Sequence, residues 1–294
     1  MSAAVPAGLV LALASTSLVN LAYVREQSAV RRLPALSLRR PLALLRLLAG
    51  SRPWLVAFAM EGAGFGLYVA ALALAPLALV QSVAAGGLAI LALASARVAR
   101  RRLRRRELAG SVIGVAGLAL LAVSLSGGSA PDGRGSTAAI VLWLGATAIA
   151  AALVLIASRA TLRRGVADGV AGGLMFSVGD ICTKLATEGG ARVAFAVGLI
   201  GGYVAGSSLL QVGYQREAAL TVAGIGTLLT NLVPIAAGTL LLGERVPSGT
   251  LGILRVVAFA TVIAGAVLLA RPQRRAASRP SAGQPGEEPL LDVG

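Results

Sequence analysis

Nine apolar runs, each long enough to cross a bilayer as a helix, set the first limit on what this chain can become. They lie near 4–24, 53–74, 77–98, 108–126, 137–158, 166–186, 191–213, 218–242 and 248–270. A helix rises about 1.5 Å per residue, so about 20 residues cover the hydrocarbon of a membrane. Glycine and proline inside such runs are tolerated better than in soluble helices. The expected fold is all-α, a polytopic membrane bundle of nine helices, or ten if segment 28–52 also enters the membrane.

Composition points the same way. Hydrophobic residues make up 56% of 294 positions and charged residues 13%. A soluble protein carries roughly a quarter of its residues charged, so this chain lacks the polar surface to cover a body in water. Its single cysteine, Cys182, excludes an internal disulfide. With no histidine, zinc and iron–sulfur sites on nitrogen or sulfur ligands are excluded, as is a Ser–His–Asp triad. No Walker motif is present. Neither an enzymatic activity nor a cofactor is expected.

The arginines give the orientation. No positive residue precedes the first run, which argues against a cleaved signal peptide and places the N-terminus outside. Alternating from there, segments 25–52, 97–107, 159–165, 214–217 and 271–294 share one side and carry 22 arginines. The opposite segments, 75–76, 127–136, 187–192 and 243–247, carry Arg134, Arg192 and Arg245. An excess of this size marks the first side as cytoplasmic, with the C-terminus there, in a cell membrane. The densest stretch, RVARRRLRRR at 97–106, is then a loop that holds topology and meets anionic lipid headgroups. No aromatic residues interleave its arginines, so nucleic acid is not an expected partner. Segment 28–52 is leucine-rich but holds Arg39, Arg40 and Arg46, and reads as an amphipathic helix lying in the interface. The tail from Pro272 is rich in Pro, Gly, Ser and charge, and is expected to be disordered.

Two stretches look alike, residues 70–123 and 218–270. Each has an apolar run, a charged break with a glutamate, then a glycine-rich run. On this topology the first break is cytoplasmic and the second external, so the copies point in opposite directions. Two inverted membrane repeats, 1–126 and 137–270, are followed by the tail 271–294. Inverted repeats build many secondary transporters, with the substrate site at the repeat interface near mid-membrane.

On these residues the chain resembles the drug/metabolite transporter superfamily of EamA-like proteins. LGER at 242–245 looks like the family's span-ending GE, and APLALVQ at 75–81 with GVAGLALL at 114–121 looks like the matching end of the first repeat. Within it the chain looks most like NIPA-type magnesium transporters. The shared features are a nine-span layout, a basic segment after the first span, an APxxLV motif (Ala75, Pro76, Leu79, Val80) and a lysine in the sixth span, Lys184. Eleven residues before the AP proline, where those proteins carry a glutamate, stands Phe65, and Glu61 lies one turn earlier. The resemblance implies transport across the membrane, with magnesium as one substrate.

Ionisable groups inside spans are costly, so each is a candidate for function. Glu61 lies about eight residues into its span, about 12 Å deep, flanked by the glycines of EGAGFG. It reads as a proton or cation site, or as a buried glutamate serving packing. Asp180 and Lys184 stand four apart, the order that favours an intrahelical ion pair; a substrate or proton competing for one partner is the alternative. Asp168 reads as an interfacial charge near Arg163 and Arg164. Arg255 reads as snorkelling or pairing with a carboxylate such as Glu244. Gln81, Gln211, Tyr214, Thr230 and Asn231 are neutral polar groups for a cavity wall or for interhelical hydrogen bonds. The spacings Gly110/Gly114 and Gly202/Gly206 read as helix-packing features.

The candidate substrate-binding or coupling residues are therefore Glu61, Asp180, Lys184, Gln81 and Asn231. Glu61 and Asp180 are metal ligands if the cargo is magnesium, which needs hard oxygen donors. The expected function is a secondary transporter of a small metabolite or ion working by alternating access. A magnesium transporter and a non-transporting membrane partner protein are the alternatives. The expected partners are membrane lipid and the substrate, and homodimerisation is left open.

Overall fold

A computed structural model describes residues 4–74, 80, 83–84, 86–100, 102–125, 136–158, 164–187, 190–241 and 249–270; at 4, 72, 73, 125, 184, 187, 235 and 238–241 the backbone alone is described. The described residues form helices and no strand. They are α1 (Ala4–Val30), α2 (Pro41–Ala49), α3 (Arg52–Leu74), α4 (Gly87–Val98) and α5 (Arg105–Leu125). After them come α6 (Thr137–Ala157), α7 (Arg164–Thr187), a 3-10 segment at Gly190–Phe195, α8 (Ala196–Arg216), α9 (Ala219–Leu241) and α10 (Thr250–Ala270).

Seven of these, α1, α3, α5, α6, α7, α8 and α10, are long and apolar enough to cross a membrane. The third and eighth expected spans are not among those seven: α4 has 12 residues, and α9 is a continuous helix of 23 residues whose described apolar stretch is Ala219–Pro234. Pro234 lies inside that helix, where its ring removes a backbone donor. The arginine-bearing segment forms α2, whose 9 residues are too few to cross the hydrocarbon. Pro41 opens it at a position that needs no amide hydrogen. Leu44 and Leu48, one turn apart, are buried, while Arg40 and Arg46 are exposed. This is the amphipathic helix expected there, packed on α3. The tail from Pro272 lies outside the described residues.

Large apolar side chains point outward all round the bundle: Leu142 is 74% and Val197 78% exposed. In water each would cost about 25 cal/mol per Å² of uncovered apolar surface; against lipid it costs nothing. The helices differ in depth. Over its most apolar 18 residues α7 is 72% buried and α6 17%, so α7 is the central post and α6 a peripheral one.

A packing pattern occurs twice. In the first half α1 packs on α3 and α4 on α5; in the second α7 packs on α8 and α9 on α10, and α5 and α10 pack on each other. Glycines make two of these seams close. A Cβ on Gly202 of α8 would stand 2.6 Å from the Gly179 nitrogen of α7. One on Gly265 of α10 would stand 2.8 Å from the Gly114 nitrogen of α5. Gly114 and Gly202 are two of the packing positions read from spacing.

Candidate functional site

The packing leaves a cavity of about 710 Å³ between the two halves of the chain. α1 and α3 line it from the first half, and α7, α8 and α9 from the second. Its ionisable acids are Glu61 on α3 and Asp180 on α7, and no basic side chain is among the described lining residues. Asn231 of α9 lines it too. Three of the five expected site residues thus meet in one space although 170 positions separate the first from the last in sequence. Gln81 lies outside the described residues. For Lys184 the backbone is described, one turn beyond Asp180 on α7, and the side chain is not.

Asp180 has a definite partner. The Tyr203 hydroxyl of α8 donates to its Oδ1 at 2.5 Å. The ring of Tyr203 in turn lies 5.8 Å from that of Phe176 on α7, tilted by 57°. On α3, Phe65 and Tyr68 form a second aromatic pair with centroids 6.5 Å apart. Small hydroxyl and amide groups fill the remaining polar wall. Ser15 of α1 donates to the Gly64 carbonyl of α3 at 2.7 Å, and Asn231 to the Thr227 carbonyl at 2.8 Å. Ser15, Asn20, Thr183, Thr230 and Asn231 are thus each anchored to a carbonyl of their own or a neighbouring helix, as apolar surroundings demand.

Glu61 belongs to a larger group that the sequence reading missed. Its carboxyl stands within hydrogen-bonding reach of the Glu26 carboxyl and the Tyr23 hydroxyl, both on α1. Glu26 is 1% exposed and accepts a hydrogen bond at 2.7 Å from Gln211 Nε2 of α8. Among the described residues, Glu26 Oε1, Gln211 Oε1 and the Tyr214 hydroxyl are buried without an ordinary hydrogen-bond partner. Two carboxyls in contact become mutually attractive when a proton or a cation lies between them. The group has the chemistry to hold one.

Beyond this group the two halves are clasped. Gln27 of α1 donates to the Glu217 carbonyl. Arg31 donates to the Tyr214 and Glu217 carbonyls at 3.3 and 3.2 Å. The Gln215 amide gives a hydrogen to the Val30 carbonyl at 2.8 Å and accepts one from the Leu36 nitrogen at 2.9 Å. The C-terminal ends of α1 and α8 are thereby sealed, and the cavity begins above the seal, at Tyr23 and Leu210.

The other ionisable candidates are not among the cavity's lining residues. Asp168 is 2% exposed, not an open interfacial charge, and its Oδ2 is 2.7 Å from Arg216 Nη1 on α8. Arg255 is 3% exposed and does not snorkel. Its Nη2 donates to the Ser124 carbonyl of α5 at 3.3 Å; Glu244 lies outside the described residues.

Among proteins of known description, the chain is similar to a probable magnesium transporter, NIPA9 of Arabidopsis thaliana. The two are 26% identical over 289 residues, covering 90% of this chain and 82% of the relative. No family model matches the sequence. No solved structure matches it. The apolar helices and this similarity together identify a multi-pass membrane protein and support a NIPA-like membrane transporter.

Proposed function

We propose that the chain is a secondary transporter that moves a small metabolite or ion by alternating access between halves 1–126 and 137–270. The observation that carries this reading is the cavity between the halves, with Glu61 and Asp180 both on its wall. The doubled packing pattern supports an inverted repeat. α1, α3, α4 and α5 correspond to α7, α8, α9 and α10, and α6 stands between the sets. With nine spans, each helix stands five places before its counterpart, so the copies point opposite ways. Helix pairs then rock about the α5–α10 seam, as in other repeat-built transporters. The 22 arginines of segments 25–52, 97–107, 159–165, 214–217 and 271–294 put the clasped ends of α1 and α8 on the cytoplasmic side of the cell membrane.

A second reading, that the cargo is Mg²⁺, is favoured by the similarity to a probable magnesium transporter. Glu61 and Asp180 would be its carboxylates, with retained water completing the shell. Among the described residues no group of three or more acidic, cysteine or histidine side chains stands ready for a metal, so the general transporter reading is preferred.

Flux into proteoliposomes tests the proposal. A panel of cations, amino acids, nucleosides and amines is expected to yield at least one solute that enters with the wild type and not with Glu61→Gln/Asp180→Asn. No flux of any class, or flux unchanged in the double variant, would overturn it. Growth rescue that depends on Mg²⁺ and is lost in Glu61→Ala would favour the second reading.

A further inference from the structure

We infer that the buried group of Glu26, Glu61, Gln211 and Tyr214 binds one dehydrated monovalent metal ion, of the class of Na⁺, at the seal between the two halves. The site lies beside the cavity and not in its open part, since Glu26, Gln211 and Tyr214 are not among the cavity's lining residues. The inference therefore does not depend on the cavity carrying a cargo, and it is tested apart from transport.

The first observation is a set of oxygen atoms that the hydrogen bonding leaves over. Gln211 spends its amide nitrogen on Glu26 Oε2 at 2.7 Å, and its Oε1 has no partner among the described residues. Tyr214 follows three positions later on α8, which puts it on the same face of the helix. Its hydroxyl is without a partner as well, and so is Glu26 Oε1. Glu26 and Glu61 both act electrostatically on the Tyr214 phenol, so the ring stands beside the carboxyl pair. Gln211, Tyr214 and Glu26 are 3%, 0% and 1% exposed, which keeps bulk water from these atoms. Buried polar atoms without a partner are costly, and three of them around one carboxyl pair form a cage of oxygen donors.

The second observation is charge. The two arginines of α1 nearest to Glu26 are committed elsewhere: Arg25 donates to the Met60 sulfur at 3.2 Å and Arg31 to the Tyr214 and Glu217 carbonyls. Among the described residues no ion pair joins Glu26 or Glu61 to a base. A proton can bridge the two carboxyls. It reaches neither Gln211 Oε1 nor the Tyr214 hydroxyl, and it leaves one of the two negative charges in place. One monovalent ion balances that charge and coordinates the atoms left over, whereas a water molecule coordinates them and leaves the charge. Mg²⁺ keeps several waters when bound, and a hydrated ion needs room that atoms this closely covered do not offer. The third observation is place. Glu26 comes from α1, Glu61 from α3 and Gln211 with Tyr214 from α8, and the next residue of α1, Gln27, already belongs to the clasp on Glu217. An ion held there cross-links the halves at their sealed end, and ligand that binds the folded form stabilises it.

The test is binding of radiolabelled Na⁺ to the purified full chain at fixed pH and ionic strength, with unlabelled NaCl and MgCl₂ as competitors. Saturable binding of one ion per chain is expected, displaced by NaCl and undisturbed by millimolar MgCl₂. Glu26→Gln, which keeps the shape and removes the charge, and Tyr214→Phe, which keeps the ring and removes the oxygen, should each weaken it by about 10- to 100-fold, as losses around a metal site do. Asp180→Asn, on the cavity wall, should bind as the wild type does. Each variant is compared only where it melts cooperatively, so that loss of folding is not read as loss of binding, and Tyr214→Phe carries the test if Glu26→Gln does not fold. Absent binding in the folded wild type would overturn the inference and leave the group to a proton and water. So would displacement by MgCl₂, or unchanged affinity in Tyr214→Phe. Affinity lost in Asp180→Asn and kept in Glu26→Gln would put the ion in the cavity and overturn it too. Na⁺ binding as expected with no flux of any solute in proteoliposomes would leave the inference standing and sink the transporter reading. Flux without Na⁺ binding would do the reverse.

Discussion

Gln211 of α8 donates its amide hydrogen to the Glu26 carboxylate of α1 at 2.7 Å, tying the two halves together between the cavity and the clasped helix ends. Both side chains are buried, at 3% and 1% exposure. A buried carboxylate without its donor keeps the cost of leaving water and loses the compensation. Gln211→Leu is therefore expected to lower the unfolding free energy by about 1–3 kcal/mol, read as a fall in the melting temperature of the purified protein. Glu26→Gln, which keeps an oxygen acceptor for the same bond, should lower it less.

The clasp itself is open to test. Gln215 joins the Val30 carbonyl and the Leu36 nitrogen, and each neutral hydrogen bond is worth about 0.5–1.5 kcal/mol. Gln215→Ala should loosen the segment after α1 without unfolding the bundle. Faster amide hydrogen exchange across residues 30–36, with the melting temperature little changed, is the expected outcome. Unchanged exchange there would mean that these bonds do not hold the segment.

The glycine seam between α5 and α10 carries a steric prediction. At Gly265 an added Cβ would stand 2.8 Å from the Gly114 nitrogen, a backbone atom that cannot turn aside. Gly265→Leu should separate α5 from α10 and cost about 1–3 kcal/mol or more, as overpacking does. Gly145 of α6 has nothing within 4 Å of its would-be Cβ, so Gly145→Leu is the tolerated control. Thermal unfolding of the two variants side by side gives the comparison.

How much of this was legible in the sequence follows from which residues carry periodic or charge information. Seven of the nine expected spans are apolar helices of membrane-crossing length, because run length alone encodes them. Glu61, Asp180 and Asn231 stood out as polar groups in apolar runs, and all three line the cavity. Glu26 did not. The charged pair Arg25–Glu26 looks like the end of a span, whereas α1 continues to Val30 and carries Glu26 into a buried site beside Glu61. Nor does sequence give Tyr203 as the partner of Asp180, since that bond joins positions 23 apart on two helices. The i, i+4 spacing of Asp180 and Lys184 suggested an ion pair, a relation defined within one helix and so visible in a string. The aromatic cavity wall is dispersed over α1, α3, α7 and α8, and its members mark themselves as a set only once those helices are packed.

Orientation makes a separate prediction. In a Cys182→Ser background, a cysteine at Arg102 should react with an impermeant thiol reagent from the cytoplasmic face, and one at Ser136 from the outside. Both positions reacting from the same face would remove the parity on which opposite-pointing halves depend.

The central claim is that one cavity is reached from the two sides of the membrane in turn. Ser207 of α8 lines that cavity and gives the most direct measurement. With Ser207→Cys in the Cys182→Ser chain, impermeant thiol labelling is followed separately from each face of oriented vesicles, with and without Gln215→Ala. The account predicts labelling from the outside in the clasped protein, and labelling gained from the cytoplasmic face when the clasp is weakened. Labelling from the outside alone in both chains, or from both faces at equal rates in both, would contradict it.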